Sequence, residues 1–151
     1  MIRKYENADS DAIVEVWIMA SRVATPFLSE EFLQQESDRI RTIWLKKAET
    51  WVFEDDNVVV GFVALIGNEI GAIFVRPDCQ GRGIGRALMD HAAKLRQELF
   101  LDVFEDNASG RRFYDRYGFR HENRHIHDLT GHALIRLSYR PGADAPVPRG
   151  S

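Results

Sequence analysis

Gln80-Gly81-Arg82-Gly83-Ile84-Gly85-Arg86 is the stretch that decides the fold. It follows a strand-like run, Glu69 to Val75, and the pair Pro77-Asp78. It precedes a segment in which Leu88, Ala92, Leu95 and Leu99 recur at helical spacing. Glycines between a strand and a helix let the backbone turn tightly and pass close to a ligand. Their N–H groups then converge at the positive end of the helix dipole, a setting that suits a phosphate or pyrophosphate. Arg82 and Arg86 add charge for further phosphate groups. The nucleotide-triphosphate loop would need Gly-Lys-Ser/Thr, but Gly85 is followed by Arg86-Ala87. The dinucleotide fingerprint needs a sixth-position glycine counted from Gly81, and Arg86 stands there. What remains is Gln-x-x-Gly-x-Gly at Gln80, Gly83 and Gly85. A turn that merely starts a helix would also be rich in glycine, so the surroundings carry weight.

Upstream, residues 1–6 read as a short strand around Ile2 and Tyr5. Ser10 or Asp11 starts a helix carrying Ile13, Val16, Trp17 and Ala20, and the pattern breaks between Ser21 and Leu28 at Pro26. Ser29, followed by Glu30 and Glu31, starts a second helix that ends near Lys46-Lys47. Trp51–Glu54 and Val58–Ile66 are strand-like and joined by Asp55-Asp56-Asn57, a turn composition; Gly67-Asn68 leads into Glu69–Val75. Downstream come a helix over 86–97, a strand at Phe100–Phe104, and a short helix capped by Asp106 or Asn107 and ending at Gly118. Two last strands lie near 119–125 and 132–139, turning at Asp128–Gly131. The order β, α, α, β, β, β, α, β, α, β, β implies an α/β domain. Antiparallel hairpins are followed by a βαβ unit over 69–104, giving a mixed sheet with helices packed on it.

The chain has 151 residues, about one domain, read as residues 1–140 with a Pro/Gly/Ala-rich tail over 141–151. The tail reads as disordered, and Val147-Pro148-Arg149-Gly150-Ser151 resembles a protease-site scar from a vector. Apolar residues at 44% and charged at 28% fit a globular chain with a full core and exclude disorder throughout. Lys and Arg total 20 against 23 Asp and Glu, a net charge of −3 that argues against a nucleic-acid partner bound through a broad basic face. The single cysteine, Cys79, forms no internal disulfide, so a reducing cytoplasm is the expectation. No apolar run approaches a membrane span, and the N-terminus lacks a signal-peptide core. A membrane partner is not expected, and a monomer and a homodimer stay open.

The Gln80–Gly85 pattern resembles the acetyl-CoA pyrophosphate loop of the GNAT superfamily of N-acetyltransferases. The resemblance extends from about residue 3 to 139. Ile73-Phe74-Val75-Arg76-Pro77-Asp78 is similar to the family's strand-to-loop entry. Asn107, then Arg112-Phe113-Tyr114 and Tyr117-Gly118-Phe119, is similar to its second marker, a short helix ending in Tyr-Gly-Phe. Phe27-Leu28-Ser29 and the Gly131–Tyr139 ending resemble the small one-domain bacterial members. The family fold is a mostly antiparallel central sheet with a βαβ acetyl-CoA-binding unit.

The resemblance implies acetyl-CoA as co-substrate, no metal, and direct attack by an amine on the thioester in a ternary complex. It implies that the Ile73 amide polarises the thioester carbonyl and that Val75, beside Phe74, pairs its backbone with the pantetheine arm. Gln80, Gly81, Arg82, Gly83, Ile84, Gly85 and Arg86 would hold the pyrophosphate, and Asn107 would contact the pantetheine. Tyr114 matches the tyrosine facing the sulfur, a general acid for the thiolate, although an aromatic packed beside Phe113 would look the same. Glu69 stands at the offset of the catalytic glutamate in the histone-acetylating branch; residues 69, 71, 73 and 75 share a face of a regular strand. A solvated hairpin-end glutamate, with water as the base, is the other reading. Cys79 reads as structural for want of a His or acid partner. His121, His125, His127 and His132 read as a solvated strand edge more readily than a metal site. Trp17, Phe27 and Trp44 fall where the family builds its acceptor pocket or its core. The acceptor is an amine, on a small molecule or a peptide. The competing class is a non-catalytic acyl-CoA-binding sensor on the same fold.

Overall fold

Asp56 and Asn57, at φ 53° and 64°, are the two left-handed residues of a tight type I′ connection. They turn β2 (Glu49–Asp55) back along β3 (Val58–Ile66), and Gly67-Asn68 turns β3 into β4 (Glu69–Val75). β1 (Ile2–Lys4) pairs with the outer side of β2. The remaining strands are β5 (Leu99–Phe104), β6 (Arg120–Ile126) and β7 (Ala133–Tyr139). The computed structural model describes residues 1–140, and its seven strands form one sheet in the order β1-β2-β3-β4-β5-β7-β6. The tail expected over 141–151 lies outside the described residues. Every neighbouring pair is antiparallel except β4 and β5, joined in parallel across the βαβ unit anticipated over 69–104.

The helices are α1 (Ser10–Ala24), α2 (Glu30–Arg39), the single turn α3 (Leu45–Lys47), α4 (Ile84–Leu95) and α5 (Ala108–Tyr117). Ser29 caps α2 by accepting the Phe32 amide at 3.0 Å, as its position ahead of two glutamates suggests. Between α2 and α3 the chain runs as a π-helical turn over Ile40–Trp44, which periodicity alone did not announce. α1 runs on to Ala24 instead of breaking at Ser21: the Thr25 amide and hydroxyl both donate to the Ser21 carbonyl at 2.8 Å, closing the last turn before Pro26. α4 starts at Ile84, two residues ahead of the expected start, because the Gly83 carbonyl already accepts the Ala87 amide at 3.0 Å.

Both faces of the sheet are buried at β3. Val63 joins Leu88, Met89, Leu99 and Leu101 under α4, while its neighbour Phe62 joins Ile13, Val16, Trp17 and Leu33 under α1 and α2. Each fully buried side chain of this kind contributes about 1.5–3 kcal/mol.

Two irregularities shape the site. Ala64 opposes Ala72 and Leu65 opposes Ile70, so Gly71 is the extra residue of a β-bulge in β4. Ile70 therefore shares the α4-side core with Val75 and Ile73. Glu69 is turned to the α1 face, with Phe74 and Ala72. This corrects the expectation that residues 69, 71, 73 and 75 lie on one face, which holds only for an unbulged strand. The second irregularity is the β4–β5 pairing. It consists of one bridge, Glu69 opposite Phe100, with the Phe100 amide donating to Asn68 O at 2.9 Å. Beyond that point β4 has no strand partner on its β5 side among the described residues.

Candidate functional site

The glycine loop closes through its own side chain. Gln80 Nε2 donates to the Val75 carbonyl at 3.1 Å, folding the loop back onto the end of β4. Gly83 caps α4 at φ 82°, ψ 7°, a left-handed conformation that other residues adopt only under strain. Gly81, at φ 81°, is similar. The amides of Gly81 through Arg86 meet no acceptor among the described residues; the first paired amide is that of Ala87. A Cβ on Gly81 or Gly83 would stand in open space, so a ligand can approach the backbone there. A Cβ on Gly85 would sit 3.4 Å from the Phe113 ring, and that glycine serves the packing of α5 against α4. Ile84 is buried in the α4-side core. Arg82 pairs with Asp55 at 3.0 Å, and the Arg86 guanidinium lies 5.4 Å from the Tyr117 ring centroid.

The unpaired edge of β4 begins beside this cradle. The Arg76 amide donates to Val60 O on β3 at 2.8 Å. Amides alternate sides along a strand, so those of Ile73 and Val75 face the β5 side, where no strand meets them. The Phe74 amide faces β3, and its ring packs 5.9 Å from that of Phe62. Of the three, Ile73 and Val75 turn their amides to the unpaired edge and Phe74 supplies packing.

Across the seam stands α5. Asn107 Oδ1 accepts the Gly110 amide at 2.9 Å and so caps the helix, while its Nδ2 keeps its donors. Tyr114 packs on the α4-side core, its ring 5.4 Å from Phe113 and 5.6 Å from Phe119. Burial pushes its phenol above the usual tyrosine range, which keeps the proton on the oxygen. The hydroxyl makes no hydrogen bond among the described residues. Tyr117 differs: its hydroxyl donates to Asp90 at 2.6 Å.

At the closed end of the seam, both Glu69 oxygens accept from Arg136, at 2.6 and 2.7 Å. Arg136 also lies 3.5 Å from Asp102 and stacks 5.3 Å from the Phe100 ring centroid. No local pattern in the sequence singled out Arg136; an arginine among the apolar residues of 133–139 was the available signal. His127 and His132 meet around the Phe104 ring, at 5.5 and 6.4 Å between centroids, while His125 stands apart from them. His125 lies 3.7 Å from Asp102, whereas β6 ends at Ile126, so His127 is off the strand and bonds Thr130 at 2.9 Å. His132 packs on Phe27 with centroids 4.5 Å apart. Trp17 is core, and Trp44 is held by Glu36 at 3.2 Å. Cys79 is buried beside Asp78.

The sheet is splayed along its one parallel seam, with an unsatisfied helix N-terminus at the open end. The Acetyltransferase (GNAT) family model matches residues 17–119, and the chain belongs to that family. It is 32% identical to the peptidyl-lysine N-acetyltransferase YjaB of Escherichia coli strain K12, over 91% of this chain and 95% of that protein. It is also 32% identical to the peptidyl-lysine N-acetyltransferase YiaC of the same organism, over 79% of this chain and 82% of the other. The solution structure of apo-form YjaB from Escherichia coli matches with a TM-score of 0.83, covering 92% of this chain and 96% of that one. The PaiA N-acetyltransferase of Thermoplasma acidophilum, solved in complex with coenzyme A, shares the fold at a TM-score of 0.74 and 21% identity, over 92% and 98% of the two chains. Among the described residues no helix is long and apolar enough to cross a membrane.

Proposed function

We propose that this N-acetyltransferase carries the acetyl group of acetyl-CoA directly to a lysine side chain of a peptide or protein. The observation that carries the reading is the run of six unpaired amides, Gly81 to Arg86, at the open end of a seam whose β4 edge is also unpaired. A pyrophosphate fits the first and an extended amide-bearing arm fits the second, and coenzyme A joins the two. The coenzyme A seen with PaiA supports the cofactor, and the names of YjaB and YiaC support the lysine acceptor.

In this reading the amine nitrogen attacks the thioester carbonyl, and the Ile73 amide donates to the oxygen as it becomes an oxyanion. Val75 pairs with the arm as a further strand would. Asn107 Nδ2 supplies a donor from α5, and the Gln80–Arg86 loop holds the pyrophosphate. When the C–S bond breaks, the Tyr114 hydroxyl donates to the departing thiolate and the proton follows. Burial raises the phenol's pKa, so Tyr114 carries its proton when the thiolate forms. The attacking nitrogen loses its proton to Glu69, directly or through a water. A carboxylate offers about four lone-pair sites, and Arg136 occupies two of Glu69's. Glu69→Gln then lowers kcat most at low pH, where the amine is charged; a uniform effect across pH would assign deprotonation to water alone. The reading as a whole is tested by coenzyme A titration and by acetylation of lysine peptides.

A further inference from the structure

The seam has to be open at one end and closed at the other, and the backbone does little to close it. A single parallel bridge, Glu69 opposite Phe100, joins β4 to β5, with the Phe100 amide donating to Asn68 O at 2.9 Å. We propose that Arg136 is a positioning residue that fixes the width of this opening, strapping β4 to β5 across its closed end through Glu69 and Phe100.

The guanidinium starts on β7, two strands away from β4. It crosses β5 by lying on the Phe100 ring, with Asp102 of the same strand alongside, and ends in a two-point contact with Glu69 on β4. Phe100 and Glu69 are the two residues of the single bridge, so the strap crosses where the strands part. An isolated surface pair contributes little. Here the Glu69 and Arg136 side chains are only 36% and 27% exposed, the contact is a planar fork, and a ring and a second carboxylate hold the same group. The other side of the apex carries a matching tie. Arg96 follows α4, donates to Gly67 O in the β3–β4 turn at 2.8 Å and reaches Glu49 at 2.7 Å. The Gly71 bulge is what makes the strap possible, because without it Glu69 would point to the α4 face.

The inference rests on the reading that the seam takes the arm of acyl-CoA, so the probe is coenzyme A itself, titrated calorimetrically into wild type, Arg136→Lys and Arg136→Met. Loosening the apex misplaces β4 against α5, and Arg136→Met is expected to raise the Kd at least about fivefold, with Arg136→Lys between it and wild type because lysine keeps the charge but not the fork. Hydrogen exchange supplies a readout that general destabilisation does not mimic. The Phe100 amide should exchange faster in Arg136→Met while the Arg76 amide, bonded to β3, keeps its protection. A Kd within about twofold of wild type, or equal loss of protection at both amides, overturns the strap. If the wild type itself binds no coenzyme A, the reading of the seam fails and the strap falls with it. A wild type that binds and an Arg136→Met that binds equally well remove the strap alone.

Discussion

Replacing Gly83 with valine separates the phosphate cradle from an ordinary helix start. At φ 82° a side chain is strained, and residues in that region cost about 1–3 kcal/mol. No atom outside the neighbouring residues lies within 4 Å of the added Cβ, so backbone strain is the main cost and the fold is expected to survive. For a chain of this length each kcal/mol lowers Tm by about 2–4 °C, giving a loss of about 2–12 °C. Gly131→Val is the matched control: φ is 75°, its surroundings are equally open, and it lies in the β6–β7 turn away from α4. Coenzyme A at a hundredfold excess over its Kd stabilises the wild type by about 2.7 kcal/mol. By the same scaling that is a rise of about 5–11 °C. Differential scanning fluorimetry with and without coenzyme A should show the full rise in wild type and Gly131→Val and none in Gly83→Val, whose methyl groups stand beside the unpaired amides. An undiminished rise in Gly83→Val would refute the cradle.

Tyr114→Phe keeps the ring between Phe113 and Phe119 and removes the unpartnered hydroxyl. Its kcat should fall at least about tenfold in steady-state assays while the coenzyme A Kd stays within a few-fold. Tyr117→Phe loses the hydrogen bond to Asp90, and so about 1 kcal/mol of stability, with turnover nearly unchanged. His91 sits against Trp51 at 4.4 Å with Nε2 buried and unpaired, and burial holds its pKa below the ordinary value. The folded protein thus binds this proton less readily than the unfolded chain. The stability from a neutral His91 is complete above about pH 6.5 and lost as pH falls below it. Calorimetry from about pH 7 to 5 should show a shallower decline of Tm in His91→Phe than in wild type; identical slopes would contradict the assignment.

Local chemistry was legible wherever it was written in consecutive residues. The Ser29 cap, the Asn107 cap and the glycine ending α5 each satisfy backbone groups within a few positions and stand where they were read, and the glycine loop leads into α4 two residues earlier than its pattern suggests. The order of elements followed from the change of hydrophobic period. Features that depend on pairing were not legible. The Gly71 bulge is set by the offset between β3 and β4, and a period-two reading of β4 puts Glu69 on the wrong face. The Glu69–Arg136 contact joins residues 67 positions apart, so it follows only from the placement of β7 beside β5. Gln80 and Asn107 were read as ligand contacts, and much of their hydrogen bonding is spent on the fold: one side chain braces Val75, the other caps α5. The π-helical turn at Ile40–Trp44 follows a helical pattern in sequence and differs only in hydrogen-bond spacing.

The central claim is acetyl transfer from a coenzyme held on the amides of Gly81–Arg86 to a lysine amine. It is tested most directly by incubating the protein with acetyl-CoA and lysine-bearing peptides, then following free thiol and peptide mass in the same sample. The account predicts one free thiol for each acetyl group gained by a lysine, with both signals lost in Gly83→Val. Binding of coenzyme A without transfer to any amine would contradict it and make the domain an acyl-CoA sensor.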